Sequence, residues 1–109
     1  VEEIVTTPGL TGVYIGPTDL ALALGLPVYG DQPQEEHLKT VKHILATCKK
    51  HGVVSGMHTS SLEYTKKYLD LGFNMVMLGS ETAFMMRTAS KELAEAKGSI
   101  VEPGESTGY

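Results

Sequence analysis

Residues 12–25 read GVYIGPTDLALALG, and this stretch decides how the chain is expected to fold. The apolar run Gly12–Gly16 is opened by a glycine and has the length of a buried strand. The turn former Pro17 follows, and after it come a threonine and Asp19. Leu20–Leu24 is then expected to form a short helical turn. The stretch therefore predicts a strand joined to a helix, with one carboxylate at the joint.

The same design recurs twice further along the chain, at Gly52–His58 and Gly72–Ser80. An amphipathic helix is expected over about Glu35–His51, because apolar residues recur there at helical spacing. These residues are Leu38, Val41, Ile44, Leu45 and Cys48. Another helix is expected to begin after Ser60, whose hydroxyl suits an N-cap, and to end near Leu71.

The last helix is expected over about Glu81–Ala96 and is stopped by Gly98, while a short first helix is expected at Val1–Thr6. The spacing of apolar residues in the last helix predicts a buried stripe. Its members are Met85, Met86, Ala89, Leu93 and Ala96. Residues 99–109 have little to bury and are predicted to be a flexible tail.

The resulting β-α-β-α-β-α order predicts an α/β fold with a parallel sheet. Parallel sheets are stable when both faces are covered, which this number of helices does not achieve. The natural whole is a (β/α)8 barrel of about 250 residues, of which this chain would supply about the last three βα units. We therefore expect residues 1–98 to be a C-terminal half-barrel that continues upstream of Val1.

Composition excludes several classes of protein. The net charge of −4 and the pI near 5.5 argue against a nucleic-acid partner, which needs clustered Lys and Arg. No apolar run has the length of a membrane span and no signal pattern opens the chain, so a cytoplasmic location is expected. The single cysteine, Cys48, is expected to be a buried hydrophobe. Nucleotide-loop, serine-hydrolase and zincin motifs are absent from the sequence.

Ligands of parallel α/β folds gather at the carboxyl ends of the strands, where Asp19, His58 and Glu81 are the reactive residues of this sequence. Asp19 could hold a hard cation such as Mg²⁺ or Mn²⁺, or could cap the helix at Leu20. His58 could contact substrate or transfer a proton, or could be a polar lining residue. Glu81 suits the positive end of the last helix.

The remaining histidines and the tyrosines receive structural interpretations. His37, His43 and His51 lie on or beside one helix at spacings that do not make a metal pair, and they are expected to be solvated. Tyr64 and Tyr68 are expected to pack, and the five methionines are expected in the core.

Two segments carry a resemblance to a known family. VEEIVTTPGLTGVYIGPTDLALALG (1–25) closely resembles the region around the metal aspartate of the HpcH/HpaI aldolases, and YLDLGFNMVMLGSETAFM (68–85) resembles their final strand and helix. The resemblance covers about Val1–Ala96. It implies a (β/α)8 barrel with a divalent ion (Mg²⁺, Mn²⁺ or Co²⁺) that chelates a 2-oxo acid such as pyruvate. The ion stabilises the enolate while a C–C bond to an aldehyde is broken or made.

The resemblance also assigns residues. Asp19 matches the metal aspartate, the backbone N–H groups of Thr18 and Asp19 match those that bind the pyruvate carboxylate, and Gly16 and Pro17 shape the turn. The family's metal glutamate, catalytic arginine and histidine–aspartate pair belong to the first half of the barrel, which this chain does not contain. SGMHTS also differs from the more apolar sequence usual in the family, and His58 is left as a candidate contact of the aldehyde.

Three hypotheses follow for function. The chain is an aldolase module completed by a missing N-terminal half or another chain, a non-catalytic half-barrel that binds or assembles with copies of itself or a partner, or an inactive fragment of a related lyase. The resemblance favours the first and further implies a homo-oligomer.

Overall fold

The computed structural model describes residues 1–98, and the tail predicted for residues 99–109 lies outside this part of the chain. The strands are β1 (Gly12–Ile15), β2 (Val54–Met57) and β3 (Met75–Val76). The helices are α1 (Glu2–Val5), α2 (Pro17–Ala23), α3 (Glu35–Lys50), α4 (Leu62–Leu71) and α5 (Glu81–Lys97). Across residues 1–98, no helix combines the length and the apolar character that crossing a membrane requires.

The three strands form one parallel sheet in the order β1-β2-β3. β1 pairs with β2 along its whole length, from Gly12 opposite Val54 to Ile15 opposite Met57. β2 pairs with β3 only at its last two residues. The predicted α/β class is confirmed, and the three successive βα units are those of a partial (β/α)8 barrel.

Helices α3 and α4 cover one face of this sheet. The buried core on that face consists of Ile15, Val41, Leu45, Met57, Tyr68 and Phe73. The apolar stripe predicted for α3 is confirmed, with Val41 and Cys48 fully buried. Packing by Tyr68 is also confirmed, because its ring meets that of Phe73 edge-on with centroids 5.7 Å apart.

The opposite face of the sheet has no helix over it among residues 1–98. Because side chains alternate along a strand, Tyr14, Val54 and Met75 lie on this face, and they are 49%, 47% and 56% exposed. In a (β/α)8 barrel this is the inner face, which layers of side chains from the other strands fill. The described residues thus leave one face of the sheet uncovered. This fits the expectation that these apolar strands belong to a larger sheet.

The buried stripe predicted for α5 is wrong for the described part of the chain. Met85 is 70% exposed and Leu93 is 56% exposed, whereas Ala94 is the one buried residue of the helix. The other members of the predicted stripe, Met86, Ala89 and Ala96, are exposed too. The apolar spacing is present, but these five side chains stay uncovered within residues 1–98. Of the five methionines expected in the core, Met57 is the one that is buried within residues 1–98, and Met75 lies on the uncovered face of the sheet.

Two helix starts differ from the prediction. Helix α2 begins at Pro17 rather than Leu20, since the fixed φ of proline suits the first helical position. Helix α4 has Ser61, not Ser60, as its N-cap, and the Ser61 hydroxyl accepts the N–H of Tyr64 at 3.3 Å. The N–H of Ser60, one residue before this cap, is bound to the carboxylate of Asp31 at 2.8 Å.

Removing a core side chain of α3 should destabilise the fold strongly. Leu45 is 5% exposed and Leu69 is 49% exposed. Leu45→Ala is expected to lower the free energy of unfolding by about 2–5 kcal/mol, because it leaves a cavity under the sheet. The matched control Leu69→Ala should cost about 0.5 kcal/mol or less. Urea unfolding of both variants checks the difference, and equal losses would contradict this packing.

Candidate functional site

The turn after β1 places Asp19 at the carboxyl edge of the sheet. Gly16 is the N-cap of α2 with extended backbone, and its carbonyl accepts the N–H of Leu20 at 3.0 Å. Asp19 lies in the first turn of α2, so it is not the N-cap, and the capping alternative is wrong. Its exposed carboxylate instead sits near the positive end of the helix.

The backbone of this turn also presents hydrogen-bond donors. The first backbone hydrogen bond of α2 is donated by the N–H of Leu20. The N–H groups of Thr18 and Asp19 come before it, so the helix itself does not use them. The Thr18 hydroxyl is buried and has no hydrogen-bond partner among residues 1–98. The turn therefore combines a carboxylate, two amides and a hydroxyl within two consecutive residues.

His37, which was expected to be solvated, is fully buried. Its Nε2 lies 3.1 Å from the carbonyl oxygen of Pro17, at the start of α2. Burial lowers the pKa of the imidazole below its usual range, and the charge of Lys67 lowers it further. The prediction failed because helical spacing places His37 on the same face as Val41, which faces the core.

His43 in α3 and His51, the C-cap of α3, do not lie at the carboxyl edge of the sheet. His43 is exposed, as predicted. His51 is partly buried, and its Nε2 lies 2.7 Å from the carboxylate of Glu2, which also binds Lys50 at 2.7 Å. The hydrogen bond from Lys50, with that of His51, lowers the pKa of Glu2 to about 2. This cluster ties α1 to the end of α3 at the opposite edge of the sheet.

His58 follows β2 and pairs with a residue that the sequence did not single out. It is 9% exposed, and its Nδ1 lies 3.1 Å from the hydroxyl oxygen of Tyr14. The two rings meet edge-on with centroids 6.1 Å apart. Gly56 makes room for this pair, since a Cβ there would lie 2.6 Å from Cδ2 of the Tyr14 ring. Side chains alternate along a strand, so Tyr14 lies on the face opposite to that of the core residue Ile15. This alternation is the sequence signal that could have identified Tyr14.

A second polar network fixes the segment that follows His58. The Thr59 hydroxyl is buried and is bound to the Thr65 hydroxyl at 2.8 Å and to the carbonyl of Met77. Asp31, in the loop before α3, holds the N–H of Ser60. Asp31 carries no periodic or motif signal, so sequence reasoning missed it. The network connects the ends of β2 and β3 and the α2–α3 loop.

The described residues fit a metal ion only in part. No group of three or more His, Cys, Asp or Glu side chains within residues 1–98 is arranged to hold one. Mg²⁺ can be bound through one or two protein carboxylates when water and substrate provide the other oxygens. The carboxylate of Asp19 fits one such position. Glu81, the first residue of α5, is exposed at the positive end of its helix, as predicted.

These features define a class of protein: part of a parallel (β/α) barrel with its polar residues at the carboxyl ends of the strands, where such barrels bind ligands. Comparison with known proteins narrows the class. A family model described as HpcH/HpaI aldolase/citrate lyase matches residues 1–88. The chain belongs to the HpcH/HpaI aldolase/citrate lyase family.

Individual relatives agree with this assignment. The 5-keto-4-deoxy-D-glucarate aldolase of Klebsiella pneumoniae is 38% identical over 96 residues, which are 88% of this chain and 36% of that protein. The hydroxypyruvate/pyruvate aldolase of Paraburkholderia phytofirmans is 29% identical over 97 residues, 89% and 36% of the two chains. The structure of an HpcH/HpaI family protein from Burkholderia cenocepacia matches 88% of this chain and 37% of its own, with 27% identity and a TM-score of 0.79. The chain thus spans about 36% of the length of the curated relatives.

Adding a methyl group at Gly56 should disturb the Tyr14–His58 pair. Gly56→Ala forces the Tyr14 ring aside and is expected to cost about 1–3 kcal/mol of unfolding free energy. The same substitution in a Tyr14→Ala background should cost much less, because the clashing ring is gone. A double-mutant cycle by urea unfolding measures the difference. An unchanged cost in the second background would show that Tyr14 is not the obstacle.

Proposed function

We propose that residues 1–98 are the C-terminal half-barrel of a divalent-metal-dependent aldolase, an enzyme that breaks or forms a C–C bond between a 2-oxo acid such as pyruvate and an aldehyde. The observation that carries this proposal is the turn Gly16–Asp19, which presents an exposed carboxylate and helix-start amides at the carboxyl end of β1. Family membership over residues 1–88 supports it. The rest of the natural protein would supply the second metal ligand and the base.

Each residue of the turn has a distinct task in this proposal. Asp19 would hold a divalent ion (Mg²⁺, Mn²⁺ or Co²⁺), which when bound supplies Lewis-acid chemistry at the 2-oxo acid. The N–H groups of Thr18 and Asp19 would bind the carboxylate of that acid and fix its orientation. Gly16 and Pro17 shape the turn, and the partnerless, buried Thr18 hydroxyl supports the presence of a ligand beside it.

His58 and Tyr14 would face the aldehyde partner. They lie at the end of the neighbouring strand, on the face of the sheet that is the interior of a barrel. Their hydrogen bond joins the Tyr14 hydroxyl to Nδ1 of His58 and restrains the imidazole. An imidazole and a phenol suit an aldehyde that carries hydroxyl groups, because each can donate or accept a hydrogen bond.

The uncovered surfaces support assembly in the natural protein. The inner face of the sheet and the exposed apolar residues of α5 need cover in water, since large apolar patches seldom remain exposed. A missing N-terminal half would fill the inner face, and a neighbouring subunit of a homo-oligomer would cover α5. We further propose that the protein is cytoplasmic. Its partners would be small molecules rather than nucleic acid, because its net charge is negative.

Replacing Asp19 tests the metal role. In the natural protein that carries these residues, Asp19→Asn should slow metal-dependent deuterium exchange at the methyl group of pyruvate by more than about 100-fold, beyond the effect usual for groups that only support a ligand. Asp70→Asn, a change at an exposed carboxylate on α4, should leave the rate unchanged. Mass spectrometry with saturating Mn²⁺ follows the exchange. Exchange at the normal rate in Asp19→Asn would contradict the proposal.

Replacing His58 tests the aldehyde side separately. His58→Leu should lower kcat/KM for addition of pyruvate to glycolaldehyde by about tenfold, the value of one hydrogen bond to a substrate. Methyl exchange of pyruvate alone should stay at the normal rate, because that step needs no aldehyde. Tyr14→Phe should have a smaller effect of the same kind, and the exposed His43→Leu should have none. Loss of methyl exchange in His58→Leu would place His58 on the pyruvate side instead.

A further inference from the structure

His37 is a polar residue in a position that packing alone would fill with an apolar one. It lies in the first turn of α3, one helical turn before Val41 and two before Leu45, all three of them buried on the face towards the sheet. Within residues 1–98 its imidazole makes one hydrogen bond, which joins Nε2 to the carbonyl of Pro17. That carbonyl is two residues before Asp19.

The geometry fixes which nitrogen carries the proton. A carbonyl only accepts, so Nε2 of His37 is the N–H donor and Nδ1 is an acceptor. Nδ1 is buried and has no partner within residues 1–98. Leaving a buried acceptor unsatisfied destabilises a fold, and an apolar side chain would avoid this cost. The bond to Pro17 is therefore the feature that accounts for a histidine at this position.

The bond joins the firmly held helix α3 to the shorter helix α2, which also contacts the core through the partly buried Leu20. Helix α3 is anchored under the sheet by Val41 and Leu45. Helix α2 has seven residues, of which only Pro17 and Ala21 are buried. The hydrogen bond from His37 consequently ties the start of α2 to the packed core. It thereby also fixes the direction in which the first turn of α2 presents its side chains.

We propose that His37 is a positioning residue for Asp19: through its Nε2–H bond to the Pro17 carbonyl, it holds the Gly16–Asp19 turn in the geometry that binds the divalent ion. This inference rests on the proposed function. His37 touches neither the ion nor the substrate. It acts by restricting the carboxylate of Asp19 to a narrow range of positions, as groups that support metal ligands do.

The test is the affinity of the natural protein for Mn²⁺ alone, measured by electron paramagnetic resonance titration. His37→Leu removes the donor and should weaken Mn²⁺ binding by about 10- to 100-fold. His37→Gln places an amide N–H at a similar reach and should restore binding close to the original affinity. His43→Leu, on the exposed side of the same helix, should leave affinity unchanged.

Two further variants make the outcome decisive. Normal Mn²⁺ affinity in a folded His37→Leu protein would overturn the proposal, even if its unfolding free energy falls, because the residue would then be only structural. If His37→Leu does not fold, His37→Asn replaces it, since the shorter amide does not reach Pro17. Equal affinity of the Asn and Gln variants would likewise overturn the proposal. Asp19→Asn in the same titration separates the metal site from the positioning role. Normal Mn²⁺ affinity in Asp19→Asn would refute the metal site itself. Weakened affinity in Asp19→Asn together with normal affinity in the His37 variants would refute only the positioning role of His37.

Discussion

Parallel pairing of β1 with β2 is the constraint on which the rest of the structure depends. The register from Gly12–Val54 to Ile15–Met57 brings the carboxyl ends of both strands to one edge. Asp19 and His58, which are distant in sequence, therefore lie at the same edge of the sheet. The same register sets Ile15 and Met57 on the face covered by α3 and α4, and it sets Tyr14 beside Gly56 on the face that is left open.

The two faces of the sheet have different physical roles. The helix-covered face is a closed core in which Tyr68 and Phe73 pack edge-on and Met57 is fully buried. The open face carries the Tyr14–His58 pair, which the helices do not cover. A (β/α)8 barrel needs both faces at once, since helices cover its outside, side chains fill its interior and ligands bind at the carboxyl ends of its strands.

Membership of the HpcH/HpaI family and the local geometry support one another without being the same argument. The family model covers residues 1–88, and the structure independently shows a carboxylate in the first turn of a helix at a strand end. The Tyr14–His58 pair and the buried His37 are properties of this chain's own fold. The pair joins β1 to the residue that follows β2, and the His37 bond ties the start of α2 to the packed helix α3.

Sequence by itself determined the element order, the α/β class, the core stripe of α3 and the strand-end position of Asp19. These features follow from local propensities and from apolar spacing, which act over a few residues. The start of α2 at Pro17 also has a local signal, the preference of proline for the first helical position.

Only the tertiary structure decided which apolar and polar groups find partners. The spacing in α5 gives it an apolar side, yet Met85 and Leu93 stay exposed because no other described element approaches them. His37 is buried, and Asp31 reaches the N–H of Ser60, through contacts between residues far apart in the chain. Such contacts depend on how whole elements pack, because a hydrogen bond between distant residues forms only after the fold has brought them within about 3 Å.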